Sequence, residues 1–132
     1  MLRFLFKEDN QRRSNKIMEK LTSEKQFTEM ISDSIPVIAV FKADWCVDCR
    51  FIDPFMPEVI AKYEGKVRFI EIDSEQFPDL VDQNNVLGIP SFIAFHENKE
   101  LIRFVNKLRK TQEEIETFVD RAIEVASALE KS

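Results

Sequence analysis

A pair of cysteines, Cys46 and Cys49, stands between a strongly apolar segment and a segment with helical periodicity. Residues 36–41 form a continuous apolar run rich in β-branched side chains, which is typical of a strand buried in a parallel sheet. After Cys46, apolar residues recur at helical spacing as far as Tyr63. The sequence therefore predicts a strand, a short turn and a helix that begins at the first cysteine, which is an arrangement of α/β domains.

The spacing of the two cysteines indicates a dithiol redox centre. At the start of a helix, free N–H groups stabilise a thiolate on Cys46, and Cys49 is close enough to attack any mixed disulfide that Cys46 forms. The chain has no other cysteine and a single histidine, His96, which we predict to lie in a surface loop. Because a zinc site needs four ligands, the sequence predicts no metal.

Composition limits the other possibilities. The chain has 132 residues and twelve Phe, enough for one domain with one core. It contains no apolar run of ~18–20 residues, and its first apolar stretch is shorter than the ~7–15 residues of a signal peptide. We therefore expect a cytoplasmic protein without membrane contact. The net charge of −5 argues against nucleic acid as the main partner, although residues 1–20 carry six basic and three acidic side chains.

Residues 1–15 show no periodicity, and we predict a flexible extension that is dispensable for folding, followed by one domain over residues 16–132. Within that domain the patterns predict the order β-α-β-α-β-α-β-β-α. The strands are expected at 16–21, 36–41, 67–72, 91–95 and 101–105, with 96–100 as a hairpin loop. Three helix starts are predicted from capping residues, at 23–26, at Ser74 and at 111–114. Pro54 and Pro57 should kink the helix that follows Cys46.

The combination of these motifs resembles the thioredoxin family over residues 16–132. The matching pieces are the strand at 37–41, the Trp45-Cys46-x-x-Cys49 sequence, Pro54, and the Gly88-Ile89-Pro90-Ser91 sequence before a strand. The resemblance implies a thioredoxin fold, with a central mixed β-sheet flanked by four helices. It also implies that the Ile89–Pro90 bond is cis and faces the cysteines, and that the backbone of Ile89 pairs with an extended substrate segment.

The resemblance also implies a role for each matching residue. Cys46 corresponds to the more exposed nucleophile and Cys49 to the more buried resolving thiol. Trp45 shapes the docking surface, and Pro90 guards the sulfurs.

Three positions depart from the family pattern. Val40 stands where a buried Asp is usual, Val47-Asp48 replaces Gly-Pro between the cysteines, and Asn106 replaces a Gly after the last strand. Asp48 has two compatible interpretations: a favourable charge in the first turn of a helix, or the proton acceptor for Cys49 in place of the missing acid.

The resulting prediction is a thiol-disulfide oxidoreductase that reduces protein disulfides through a mixed-disulfide intermediate. The alternatives are removal of low-molecular-weight thiols from mixed disulfides, and a redox-sensing or binding module without turnover. The chain has no Gly-rich dinucleotide or flavin fingerprint, so we expect no cofactor and a separate, thioredoxin-reductase-like electron donor. We expect a monomer whose partners are disulfide-containing proteins.

Overall fold

The computed structural model describes residues 18–106 and 108–131, and five strands in this part of the chain form one sheet. The strands are β1 (Glu19–Lys20), β2 (Val37–Lys42), β3 (Arg68–Asp73), β4 (Ser91–His96) and β5 (Lys99–Phe104). Their order across the sheet is β1-β3-β2-β4-β5. β3 pairs in parallel with β1 and β2, whereas β4 is antiparallel to β2 and β5 is antiparallel to β4. The predicted mixed sheet is confirmed.

Strand β2 lies at the centre of the sheet, and both of its faces are covered. Each residue from Val37 to Phe41 is fully buried. Because side chains alternate along a strand, Ile38 and Val40 pack into one half of the core, and Val37, Ala39 and Phe41 pack into the other. The uninterrupted apolar run therefore reflects a strand between two layers of helices.

Five helices are described: α1 (Glu24–Met30), α2 (Val47–Ile52), α3 (Met56–Lys62), α4 (Pro78–Gln83) and α5 (Gln112–Lys131). α2 and α3 are the two halves of the helix predicted after Cys46. The helix is interrupted between them, around Pro54, because proline lacks a backbone donor and clashes with the preceding turn. Pro57 stands in the first turn of α3, where that missing donor costs little. When α2 and α3 are counted as one interrupted helix, the predicted four flanking helices are found.

The three predicted helix starts have different outcomes. At α5, Thr111 and Glu114 form the reciprocal capping box: the Glu114 N–H donates to Thr111 Oγ1 (3.1 Å), and the Thr111 N–H donates to Glu114 Oε1 (3.0 Å). At α1, Ser23 accepts from the Gln26 N–H as predicted, but Gln26 accepts from the N–H of Thr22. Ser74 was expected to cap α4 and does not, because α4 begins only at Pro78 after a turn.

The prediction for His96 is wrong. The β4–β5 connection is a two-residue turn at Glu97 and Asn98, whose φ values are +49° and +68°, and not a five-residue loop. His96 is therefore the last residue of β4, paired with Lys99, and its side chain is 4% exposed. Its Nε2 lies 3.3 Å from Glu97 and 3.5 Å from Glu130 of α5. The shorter turn brings His96 beneath the end of α5.

The predictions for residues 1–15, and for the first two residues of the edge strand expected at 16–21, lie outside the described residues. Of the helices within 18–106 and 108–131, none combines the length and the apolar character needed to cross a membrane.

Candidate active site

The two cysteines lie where the central strand passes into a helix. β2 ends at Lys42, and α2 begins at Val47 with Cys46 as its N-cap. The Cys49 N–H donates to Cys46 Sγ at 3.1 Å, so one of the free donors of the helix end points at the first sulfur. A negative charge on that sulfur is stabilised by this N–H and by the helix dipole. The predicted position of Cys46 at the start of the helix is found.

Cys46 and Cys49 form a disulfide, with their Cα atoms 5.2 Å apart. Both residues are largely buried, and Cys46 is the more exposed of the two, at 5% against 1%. Of the two cysteines, Cys46 therefore has the greater access to solvent.

The Ile89–Pro90 bond is cis and lies against the cysteines, as the resemblance implied. Cys46 Sγ is 3.6 Å from the carbonyl oxygen of Ile89. The Ser91 hydroxyl donates to the carbonyl of Gly88, which fixes the turn directly before β4. The backbone of Ile89 is thus held beside the first sulfur.

An apolar groove of about 440 Å³ surrounds the exposed side of Cys46. Three of its side chains are strongly exposed: Trp45 (63%), Val47 (61%) and Leu87 (79%). Exposed apolar side chains that cluster in this way are typical of an interaction surface. We call this the docking groove; it is lined by Trp45, Cys46, Val47, Asp48, Leu87, Gly88 and Ile89.

Asp48 forms an ion pair that the sequence did not reveal. Arg109 donates from Nε to Asp48 Oδ1 at 2.9 Å, and its guanidinium lies 4.5 Å from the centre of the Phe51 ring. Asp48 therefore borders the docking groove with a basic partner from the loop that follows β5.

Comparison with known proteins agrees with this geometry. The family model described as Thioredoxin matches residues 18–121. A mitochondrial thioredoxin-2 from Schizosaccharomyces pombe is 30% identical over 102 residues, which cover 74% of this chain and 75% of the relative. A thioredoxin from Synechocystis sp. is 31% identical over 90 residues, covering 67% of this chain and 84% of the relative.

The chain belongs to the thioredoxin family.

Solved structures support the fold. A thioredoxin from Trypanosoma brucei brucei superposes with a TM-score of 0.70 at 22% identity, over 83% of this chain and 90% of that chain. A mutant thioredoxin from Halobacterium salinarum NRC-1 gives a TM-score of 0.71 at 17% identity, over 83% and 93% of the two chains. The family match and the Cys46–Cys49 pair identify the protein as a dithiol protein-disulfide oxidoreductase.

This thioredoxin-family site has a polar cavity of about 420 Å³ on the other side of α2 from the docking groove. Cys49 lines it together with Lys42, Asp53 and Glu71. Lys42 Nζ donates to Asp53 at 2.5 Å and to Glu71 at 3.2 Å. Burial alone would lower the pKa of Lys42, but the Asp53 hydrogen bond and the charges of both carboxylates raise that pKa overall. Lys42 is therefore a cation at neutral pH.

Two departures from the family pattern are visible in the structure. Val40 is fully buried and packs with Ile52 and Met56 in an apolar part of the core, so strand β2 offers no acid there. Asn106 orders the loop after β5, because its Oδ1 accepts from the Leu108 N–H (2.9 Å) and from Lys110 Nζ (3.2 Å).

Lys110 also stabilises the loop after β5. Its side chain is almost fully buried, its Nζ also donates to the Leu108 carbonyl (3.2 Å), and it lies over the Phe104 ring. Burial lowers the pKa of Lys110. The ordered loop presents Arg109 to Asp48.

Within 18–106 and 108–131, no group of three or more His, Cys, Asp or Glu is placed to hold a metal ion.

Proposed function

We propose that this protein works in the reducing direction on disulfides of other proteins, with Cys46 as the attacking thiolate and Cys49 as the resolving thiol. The Cys46 thiolate attacks one sulfur of the substrate disulfide and releases the other as a thiol. Cys49 then attacks Cys46 Sγ, which releases the reduced substrate and leaves the Cys46–Cys49 disulfide.

The hydrogen bond from the Cys49 N–H to Cys46 Sγ is the observation that carries this assignment. Thiol-disulfide exchange needs a thiolate, and Cys46 is the sulfur that receives the helix-end donor. Cys46 is also the cysteine that borders the docking groove, whereas Cys49 borders the polar cavity.

The docking groove supports a polypeptide substrate. Trp45, Val47 and Leu87 offer apolar surface, and the Ile89 carbonyl next to Cys46 can accept a backbone N–H from an extended segment. Pro90 has no N–H to compete with that segment. A small charged thiol such as glutathione has little apolar surface to pack against these three side chains, so removal of low-molecular-weight thiols is the weaker alternative.

We also propose the partners and location expected from the sequence. A separate thioredoxin-reductase-like protein would return two electrons to the disulfide. The net charge of −5 favours a protein partner over nucleic acid, and the proposed reducing direction fits the cytoplasm, where thiols are kept reduced. We expect a monomer that contacts no membrane.

Insulin reduction with dithiothreitol as electron source tests turnover directly. We expect catalysed precipitation of the insulin B chain with the native protein and none with Cys46→Ser. Cys49→Ser should accumulate a mixed disulfide at Cys46. A native protein that cycles between dithiol and disulfide but does not accelerate insulin reduction would support the redox-sensing alternative instead.

A further inference from the structure

The two cysteines open onto different sides of α2. Cys46 and Asp48 border the docking groove, whereas Cys49 borders the polar cavity. Adjacent residues of a helix point about 100° apart, so Asp48 and Cys49 diverge although they are neighbours in sequence. Asp48 is in addition bound to Arg109. A proton released by Cys49 therefore enters the polar cavity, away from Asp48.

The register of the sheet determines which strand side chains line this cavity. Val40 is the register partner of Glu71, and Lys42 is the partner of Asp73, so these four side chains share one face of the sheet. Val40 is sealed in the apolar core, and Lys42 is the next residue on that face. Lys42 joins Glu71 from β3 to Asp53, which lies one helical turn after Cys49.

The cavity has room for water. Its volume of about 420 Å³ far exceeds the ~30 Å³ share of one water molecule, and its polar groups supply the partners that ordered water requires. The other charged groups on its wall are Lys20 of β1, Asp44 of the turn, Arg50 of α2 and Asp73 of β3.

We infer that Asp53 and Glu71, held by Lys42, take up the proton of Cys49 through water in this cavity when the mixed disulfide is resolved. The inference rests on the proposed function. The Cys49 S–H proton passes to a carboxylate, and the Cys49 thiolate forms a bond to Cys46 Sγ. The bond between Cys46 and the substrate sulfur breaks, and the substrate leaves as a thiolate that is protonated by solvent. Lys42 is a positioning residue that holds the two carboxylates beside Cys49.

A stoichiometric reaction of the reduced protein with the aromatic disulfide dithionitrobenzoate separates the two steps. The first phase releases one thionitrobenzoate as Cys46 attacks, and the second releases another as Cys49 resolves the mixed disulfide. The variants are Glu71→Gln, Asp53→Asn and their combination. The matched control is Glu116→Gln on α5. This variant breaks a comparable ion pair, between Glu116 and Lys62 of α3 (2.7 Å).

We expect the double variant to slow the second phase by ~10- to 100-fold at about pH 6–7. Near pH 9 its rate should approach the native rate, because hydroxide replaces the lost base. Each single variant should slow the second phase less, and Glu116→Gln should show the native dependence of the rate on pH. The first phase serves as the internal control, because Cys46 faces the groove, and a merely unfolded variant would change both phases.

Three outcomes would overturn the inference. The second phase could be unchanged in the double variant. It could be faster near neutral pH, which is the result expected if the carboxylates act only as negative charges that disfavour the Cys49 thiolate. It could instead be slowed more by Asp48→Asn. Failure of the proposed function is distinguishable, since the native protein would then not accelerate insulin reduction, whatever the second phase of this reaction shows.

Discussion

The ion pair between Asp48 and Arg109 should set how readily Cys46 ionises, and its two members should act in opposite directions. Asp48 stands in the first turn of α2, two residues after the N-cap Cys46, and we take a separation of roughly 5 Å between its carboxylate and the sulfur. A unit charge at that distance interacts with a thiolate by ~0.8 kcal/mol at the dielectric constant of water and ~3 kcal/mol at a value of 20. The Asp48 side chain is 30% exposed and paired at 2.9 Å, so we take about 1 kcal/mol.

An energy of ~1 kcal/mol corresponds to ~0.7 pH unit. Arg109→Met removes the neutralising cation and should raise the midpoint of Cys46 alkylation against pH by about that amount. Asp48→Asn should lower the midpoint similarly. Because a more basic thiolate is also more nucleophilic, the rate near pH 7 should change by only ~2–3-fold, downward in Arg109→Met and upward in Asp48→Asn.

Rates of iodoacetamide alkylation of the reduced protein between about pH 5 and pH 10 give these midpoints. Arg103→Met, which breaks the Arg103–Glu100 pair (2.6 Å) on β5, is the control and should leave the midpoint in place. The double variant Asp48→Asn with Arg109→Met should return near the native value. If both single variants moved the midpoint the same way, or neither moved it, the electrostatic coupling of Asp48 and Arg109 to Cys46 would be refuted.

Two further predictions concern stability. Tyr63 OH lies 2.7 Å from Asp120 Oδ1, and Tyr63→Phe should cost ~1–2 kcal/mol in urea unfolding, whereas Tyr63→Leu should cost more. Burial, and then the Asp120 hydrogen bond, raise the pKa of Tyr63 above its ordinary 10.0, so this stabilisation is complete below about pH 10 and is lost above it. The native protein should thus lose more stability than Tyr63→Phe on going above pH 10, and parallel losses would contradict the assignment. Asn98 has φ +68°, so Asn98→Ala should cost ~1 kcal/mol while Asn98→Gly stays within a few tenths; equal thermal midpoints for the two variants would count against strain at this turn.

Much of the fold could be predicted because its signals are local. The apolar run before Cys46 identified the central strand, and the Thr111–Glu114 spacing identified the start of α5. The exceptions are places where a local signal competes with another. Ser74 is a good N-cap residue, but Pro78 is better suited to the first helical position and shifts the start of α4. After His96, the two-residue turn begins with Glu97, a residue type that rarely adopts positive φ. The residue types at this position therefore did not indicate so short a turn.

The candidate active site likewise has parts that the sequence predicts and parts that it does not. Cys46 and Cys49 are three residues apart, and the Ile89–Pro90 motif is recognisable by itself. The ion pairs are not, because Asp48 and Arg109 are 61 residues apart and Lys42 and Glu71 are 29 apart. Surface charges have no periodicity that would link such partners, and only the assembled sheet and loops bring them together.

The neighbours of a residue in a helix are those three and four positions away, and this rule favours Asp53 over Asp48 as the proposed base for Cys49. Asp48 is adjacent to Cys49 in sequence, and that adjacency suggested a proton acceptor. Because adjacent residues of a helix point about 100° apart, the side chains of Asp48 and Cys49 point in different directions. The i to i+4 spacing of Cys49 and Asp53 places those two side chains on one side of the helix. The strand beneath adds Glu71, and Lys42 joins both carboxylates. The loss of a buried acid at Val40 is therefore compatible with dithiol chemistry, because the acid needs only to share a cavity with the resolving sulfur.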